Sequence, residues 1–182
     1  MNLVSVIGLG NVFLGDDGFG PLAIETFRCA YECPPEIEIL DLGTPGLDLA
    51  PYLYDKGLII VVDAVHSDAA TGTLSIFHEE DFLSHKAKLR ITGHDPGLWD
   101  ALAHLRLAGH APEELIVLGV NPESCEFAEG ISDTIAGTAT QAAAMIAGSL
   151  LDRGIPCIPR QRPAILKLWW LNKGYAERSK VA

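Results

Sequence analysis

The sequence predicts an α/β fold built on a mostly parallel, mixed sheet. Three observations carry that expectation. A short apolar run at 3–7 and a wholly apolar one at 58–62 suit buried parallel strands. Segments with apolar residues at helical spacing stand between the strands. A glycine-rich turn at Gly8 and Gly10 leads from the first strand towards the first helix, as in a βαβ unit.

The elements follow in order. Residues 19–33 carry Leu22, Ile24, Phe27, Ala30 and Tyr31 at helical spacing, with Pro21 in the first turn where proline is tolerated. Pro34 and Pro35 stop that helix. Residues 36–40 alternate and read as a second strand, 41–46 as a turn, and 47–54 as a short helix. The third strand, 58–62, ends at Asp63. Only residues 66–72 separate it from the next apolar run, 73–77. A parallel crossover needs about a dozen residues, so the fourth strand is expected to be antiparallel. Asp95 as N-cap and Pro96 at N1 open a helix over 95–108. A fifth strand spans 115–120, and Ser132 or Asp133 opens an alanine-rich helix running to about Asp152.

Size and composition fit one domain, expected over 1–159, followed by a basic extension over 160–182 that contains Arg160, Arg162, Lys167 and Lys173. The net charge of −11 argues against nucleic acid and anionic membranes as partners. No apolar run approaches the ~20 residues of a membrane span. Met1-Asn2-Leu3 runs into a strand without a basic n-region, so a cytoplasmic location is expected. Cys29, Cys33, Cys125 and Cys157 form no metal-type pairs and read as thiols in a reducing compartment.

The chemistry concentrates at the start of the chain. A Gly-x-Gly turn before a helix usually receives a phosphate, but here Asp16 and Asp17 stand where the anion would rest. Their charge repels anions and attracts cations, which opposes a nucleotide-dependent enzyme. Ligands of doubly wound sheets sit beyond the carboxyl ends of the strands. A strand order beginning 2-1-3 brings Asp17 and Asp63 to one crevice, and His94, just before the helix start at Asp95, suits its rim. The positive end of that helix favours a neutral imidazole, able to ligate. Two carboxylates and an imidazole accept nickel, zinc, iron or manganese, and donor type does not choose among them. For Asp16 or Asp17 the alternative is simple helix capping. The chain has no HExxH, GxSxG or GxxxxGK[ST] motif.

Four segments in this order resemble the maturation endopeptidases of nickel–iron hydrogenases. They are GLGNVFLGDDGFG (8–20), EILDLGTPG (38–46), LIIVVDAV (58–65) and GHDPGL (93–98), the last reinforced by LGVNPESCEFAEGIS (118–132). The resemblance implies a three-layer α/β/α sandwich around a five-stranded, mostly parallel mixed sheet. It also implies that Asp17, Asp63 and His94 bind metal and carry catalysis. Asp17 rather than Asp16 matches the ligand position. The segment with Asp41, Gly43 and Thr44 is expected to shape the cleft and contact substrate, with Gly43 and Gly46 at positive φ.

The function so implied is hydrolysis of one peptide bond, removing the C-terminal extension of a hydrogenase large-subunit precursor after nickel insertion. The nickel is supplied by the precursor and is itself the recognition element, so the protease carries no permanent metal. Either a nickel-polarised carbonyl or water, or Asp17 or Asp63 as general base, fits such a site. The alternative from another class is a non-enzymatic nickel-binding checkpoint or carrier protein in hydrogenase assembly, using the same three ligands.

Overall fold

The computed structural model describes residues 3–84, 90–91, 95–127, 129–168 and 170. In chain order the elements are β1 (Val4–Leu9), α1 (Phe19–Ala30), β2 (Tyr31–Glu32), β3 (Ile37–Gly43), α2 (Ala50–Leu53), β4 (Leu58–His66) and β5 (Leu74–His78). Then come α3 (Glu79–Ser84), β6 (Arg90–Ile91), α4 (Asp95–Ala108), β7 (Glu114–Val120), α5 (Asp133–Gly137), α6 (Ala139–Leu151) and β8 (Ile158–Pro159).

The main sheet has the order β3-β1-β4-β7-β5, with β6 pairing the end of β4. β3, β1, β4 and β7 are mutually parallel, and β5 runs antiparallel to β7. The expected 2-1-3 start and the antiparallel fourth strand are both present. β4 explains why the sheet is covered on both sides. Its residues Leu58, Ile60, Val62 and Ala64 join α1, α5 and α6 in one buried cluster. Ile59, Val61 and Val65 join α2 and α4 in the other. Alternate side chains along a strand leave opposite faces, so an unbroken apolar run requires two covering layers. The result is the α/β/α sandwich with a mixed, mostly parallel five-stranded sheet.

Several elements differ from the sequence expectation. The second strand runs to Gly43, into the expected 41–46 turn, and the third runs past Asp63 to His66, where β6 pairs its end. Three helices change as well. The first helix ends at Ala30 instead of 33, because Tyr31 is extended and pairs with Pro159 in a small antiparallel ribbon of β2 and β8. The expected 47–54 helix divides into a 3-10 turn, Gly46–Leu49, and α2. The last helix starts on a Ser132 cap, whose hydroxyl accepts from the Ile135 N–H, and divides at Thr138 into α5 and α6.

The cysteine expectation also needs correction. Cys33 and Cys157 form a disulfide across 124 residues, with Cα atoms 4.3 Å apart, leaving Cys29 and Cys125 as free thiols. The β2–β8 pairing brings the two cysteines together, which no local spacing could reveal. Among the described residues, no helix is long and apolar enough to cross a membrane.

Candidate active site

The carboxyl ends of β1 and β4 lie side by side in the sheet, with Gly8 opposite Val62. Two acidic side chains emerge there. Asp63 follows Val62 on β4 and is wholly buried. Its Oδ1 accepts the Ala64 N–H at 2.7 Å. Asp17 lies in the 3-10 turn Gly15–Gly18 and is 1% exposed. Its Oδ2 accepts the Asn11 N–H at 2.7 Å, which ties the carboxylate to the turn after β1.

Gly10 is the hinge of this arrangement. Its φ is +128°, and a Cβ built on it would lie 1.8 Å from the Asp17 carbonyl oxygen and 3.5 Å from Asp63 Oδ1. Only a residue without a side chain lets the turn pass between the two aspartates. The Gly10 N–H donates to the Gly43 carbonyl at 2.9 Å, fastening the second loop to the first.

The neighbouring Asp16 has a different task. Its two oxygens accept from the N–H groups of Glu123, Ser124 and Ser132 and from the Ser132 hydroxyl, at 2.7–3.2 Å. Capping of α1 is not the role of either aspartate: the N-cap is Gly18, without a side-chain hydrogen bond. Asp16 instead holds the 122–132 loop against the site. That loop delivers Cys125. Burial first, then the negative charges of Asp17, Asp16 and Asp63, push its thiol up to about 12, against the Asp17 backbone N–H, which favours the thiolate. Cys125 therefore stays neutral beside the carboxylates at ordinary pH. By sequence alone Cys125 reads as one of four unremarkable thiols; the signal available is its position inside the 118–132 segment that reinforces the resemblance.

Asp41, Gly43 and Thr44 line a cleft of about 180 Å³ together with Gly10, Asn11, Val12, Pro21 and Trp170. Gly43 and Gly46 have φ values of +58° and +57°, as expected for this turn. Asp41 Oδ1 accepts the Gly43 N–H at 3.1 Å. Burial raises the Asp41 carboxyl above its ordinary range, partly offset by that N–H, with Glu25 adding to the rise and Arg28 opposing it. The start of α4 packs on the same loop: a Cβ on Gly97 would come within 2.9 Å of the Gly46 carbonyl oxygen. His94, one residue before α4, lies outside the described residues. Among the described residues no group of three His, Cys, Asp or Glu side chains is arranged to hold a metal ion.

The pair Asp17 and Asp63 suits a cation in its donor chemistry, since both are hard oxygen donors withdrawn from water at one sheet edge. Carboxylates this far from water are costly to bury as anions, and a divalent ion completed by ligands from elsewhere would offset that cost.

Comparison with known proteins agrees with this architecture. Residues 21–149 match the family model described as HycI, hydrogenase maturation protease. The hydrogenase 2 maturation protease of Escherichia coli K12 is 33% identical over 159 residues, covering 87% of this chain and 96% of the relative. The hydrogenase expression/formation protein HupM of Azotobacter chroococcum is 29% identical over 162 residues, covering 88% of this chain and 78% of the relative. The solved structure of the hydrogenase maturating endopeptidase HybD from E. coli superposes with a TM-score of 0.80 at 33% identity, covering 88% of this chain and 98% of that one. A HybD maturation protease from Thermococcus kodakarensis gives 0.64 at 28% identity, covering 82% and 99%. The sheet order, the turn after β1 and these matches together make this chain a member of the hydrogenase maturation protease family.

Proposed function

We propose that this protein is an endopeptidase that removes the C-terminal extension of a nickel–iron hydrogenase large-subunit precursor once nickel has been inserted. Family membership supports the proteolytic part. The observation that carries the nickel part is the buried pair Asp17 and Asp63, held on either side of Gly10 at the sheet edge. With His94 they form the donor set for a nickel ion brought by the precursor, so the metal belongs to the substrate. Asp41, Gly43 and Thr44 line the cleft where the precursor segment lies.

The chain's own residues supply orientation and charge. The Asn11 N–H fixes Asp17 through Oδ2. Asp63 is fixed through Oδ1 by the Ala64 N–H. Metal bound in the complex would polarise the scissile carbonyl or an attacking water. Asp17 or Asp63 would accept the proton that the water releases, and the same carboxyl would return it to the departing amine.

The deciding experiment mixes the purified protein with nickel-loaded and, separately, nickel-free precursor, and follows loss of the C-terminal peptide by intact mass. Cleavage of the loaded form alone is expected, and His94→Ala should abolish it while leaving the circular dichroism spectrum unchanged. Cleavage by His94→Ala at the wild-type rate would remove His94 from the site. No cleavage by the wild type of a verified cognate precursor, together with nickel-dependent binding, would make the protein a checkpoint or carrier instead.

A further inference from the structure

After α6 the chain turns back along α1. The Cys33–Cys157 disulfide and the β2–β8 pairing fasten its first residues to the end of that helix. The Arg160 N–H donates to the Ala30 carbonyl at 2.8 Å, and the Arg160 Nε to the Tyr31 carbonyl at 3.1 Å. The Ala164 N–H donates to the Cys29 carbonyl at 3.0 Å. Further on, Leu166, Leu168 and Trp170 pack with Leu22, Ile131, Ala136 and Ala139. The segment thus passes Cys29 at residue 164 and reaches Leu22 and Pro21 by residue 170. It runs antiparallel to α1, from the closed end of the helix to the end that faces the aspartates. This strap lies beyond residue 149, where the family match stops.

Its described part reaches the loops beside the candidate site. Trp170 lines the cleft formed by Gly10, Asn11, Asp41, Gly43 and Thr44. Gly10 and Asn11 also touch Asp17, so the turn that forms one side of this cleft is the turn that holds that carboxylate. Elsewhere the lining is backbone and small or polar side chains, with Val12 and Pro21 as the other apolar contributors. An indole held half-buried at such a place offers a broad apolar face with little entropy left to lose.

We propose that the strap forms one wall of the substrate groove and that Trp170 is a specificity-determining contact, packing on an apolar side chain of the precursor segment that enters the cleft. This rests on the endopeptidase reading given above. The Cys33–Cys157 bond acts as the anchor that sets where Trp170 stands, so loosening the anchor and removing the indole should have the same signature.

The test measures both the affinity of the nickel-loaded precursor and its cleavage kinetics, for wild type, Trp170→Ala, Trp170→Phe and Cys157→Ser. The expected result is an about tenfold weaker affinity and an about tenfold higher KM for Trp170→Ala, with kcat within about twofold. Trp170→Phe should recover most of the loss, and Cys157→Ser should resemble Trp170→Ala. A merely structural tryptophan would change thermal stability without separating KM from kcat. Wild-type affinity and KM in Trp170→Ala would overturn the strap contact while leaving the endopeptidase reading intact. A wild type that binds precursor through Trp170 but never cuts it would overturn the endopeptidase reading and keep the contact. Absence of both binding and cutting by the wild type would overturn both.

Discussion

Ser132 donates twice to Asp16: its backbone N–H reaches Oδ1 at 2.7 Å and its hydroxyl reaches Oδ2 at 3.2 Å. The same hydroxyl accepts the Ile135 N–H at 3.3 Å, so one side chain caps α5 and locks it to the turn after β1. Adjacent aspartates thereby divide their labour. Asp16 faces donors on the 122–132 loop, and Asp17 accepts the Asn11 N–H of the turn after β1.

That division can be measured. In Asp16→Asn the new amide group must point at an N–H that formerly donated to a carboxylate oxygen. Leaving such a buried donor unsatisfied costs about 2–3 kcal/mol. Urea unfolding should show a loss of this size for Asp16→Asn, with processing reduced only as far as the loop is disturbed. Asp17→Asn should lose processing while its urea midpoint stays closer to wild type. Equal stability losses in the two variants would contradict the division.

The turn itself offers a second test. Gly10→Ala puts a methyl group against the Asp17 carbonyl, where no flexible side chain can yield. Overpacking of this kind costs about 1–3 kcal/mol, and the unfavourable φ adds to it. Gly130→Ala is the control, because its Cβ would enter open space. The first variant should unfold at clearly lower urea and lose processing; the second should stay within about 0.5 kcal/mol of wild type.

The disulfide makes a prediction about thiol count. Denatured without reductant, the protein should react with a thiol reagent at two cysteines, Cys29 and Cys125, rather than four. Closing a loop of 124 residues is worth at most about 5 kcal/mol in the chain-entropy view. Reduction should therefore lower the melting temperature of wild type and leave Cys33→Ser unaffected. Four reactive thiols in the unreduced protein would show that the bond does not form.

What was readable from sequence follows from the range of the interactions. Strand and helix identities were legible at β1, β4 and α4, where burial on both faces or a strong N-terminal cap leaves a local pattern. Asp63 was legible as a candidate because a charge in a buried apolar strand stands out against its neighbours, and Asp17 because a glycine-rich turn carries carboxylates where an anion would rest. The separate role of Asp16 was not, since its partners Glu123, Ser124 and Ser132 lie more than 100 residues away. The premature end of α1, the Cys33–Cys157 bond and the place of Trp170 share that character. Each depends on the chain returning along α1 after α6, which no local periodicity records.

The last prediction concerns acid stability. Arg153, after α6, pairs with Glu114 at the start of β7, its Nε donating to Oε2 at 2.9 Å. The hydrogen bonds from Arg153, followed by its charge and opposed by burial, hold the Glu114 carboxyl below its ordinary range. A carboxyl lowered by folding stabilises the native state at pH values above its unfolded titration, near ~4.3, and that contribution is lost as pH falls through the folded value. The pair is partly open to solvent, at 27% and 39% exposed, so screening limits its worth to about 0.5–1 kcal/mol. Glu114→Gln should therefore be less stable than wild type by that amount at pH 7. The gap should hold down to the unfolded glutamate range and close below it, where wild type has also lost its charge. Urea midpoints of both proteins across this range provide the measurement, and a gap that persists unchanged into strong acid would show that shape, not charge, links α6 to β7.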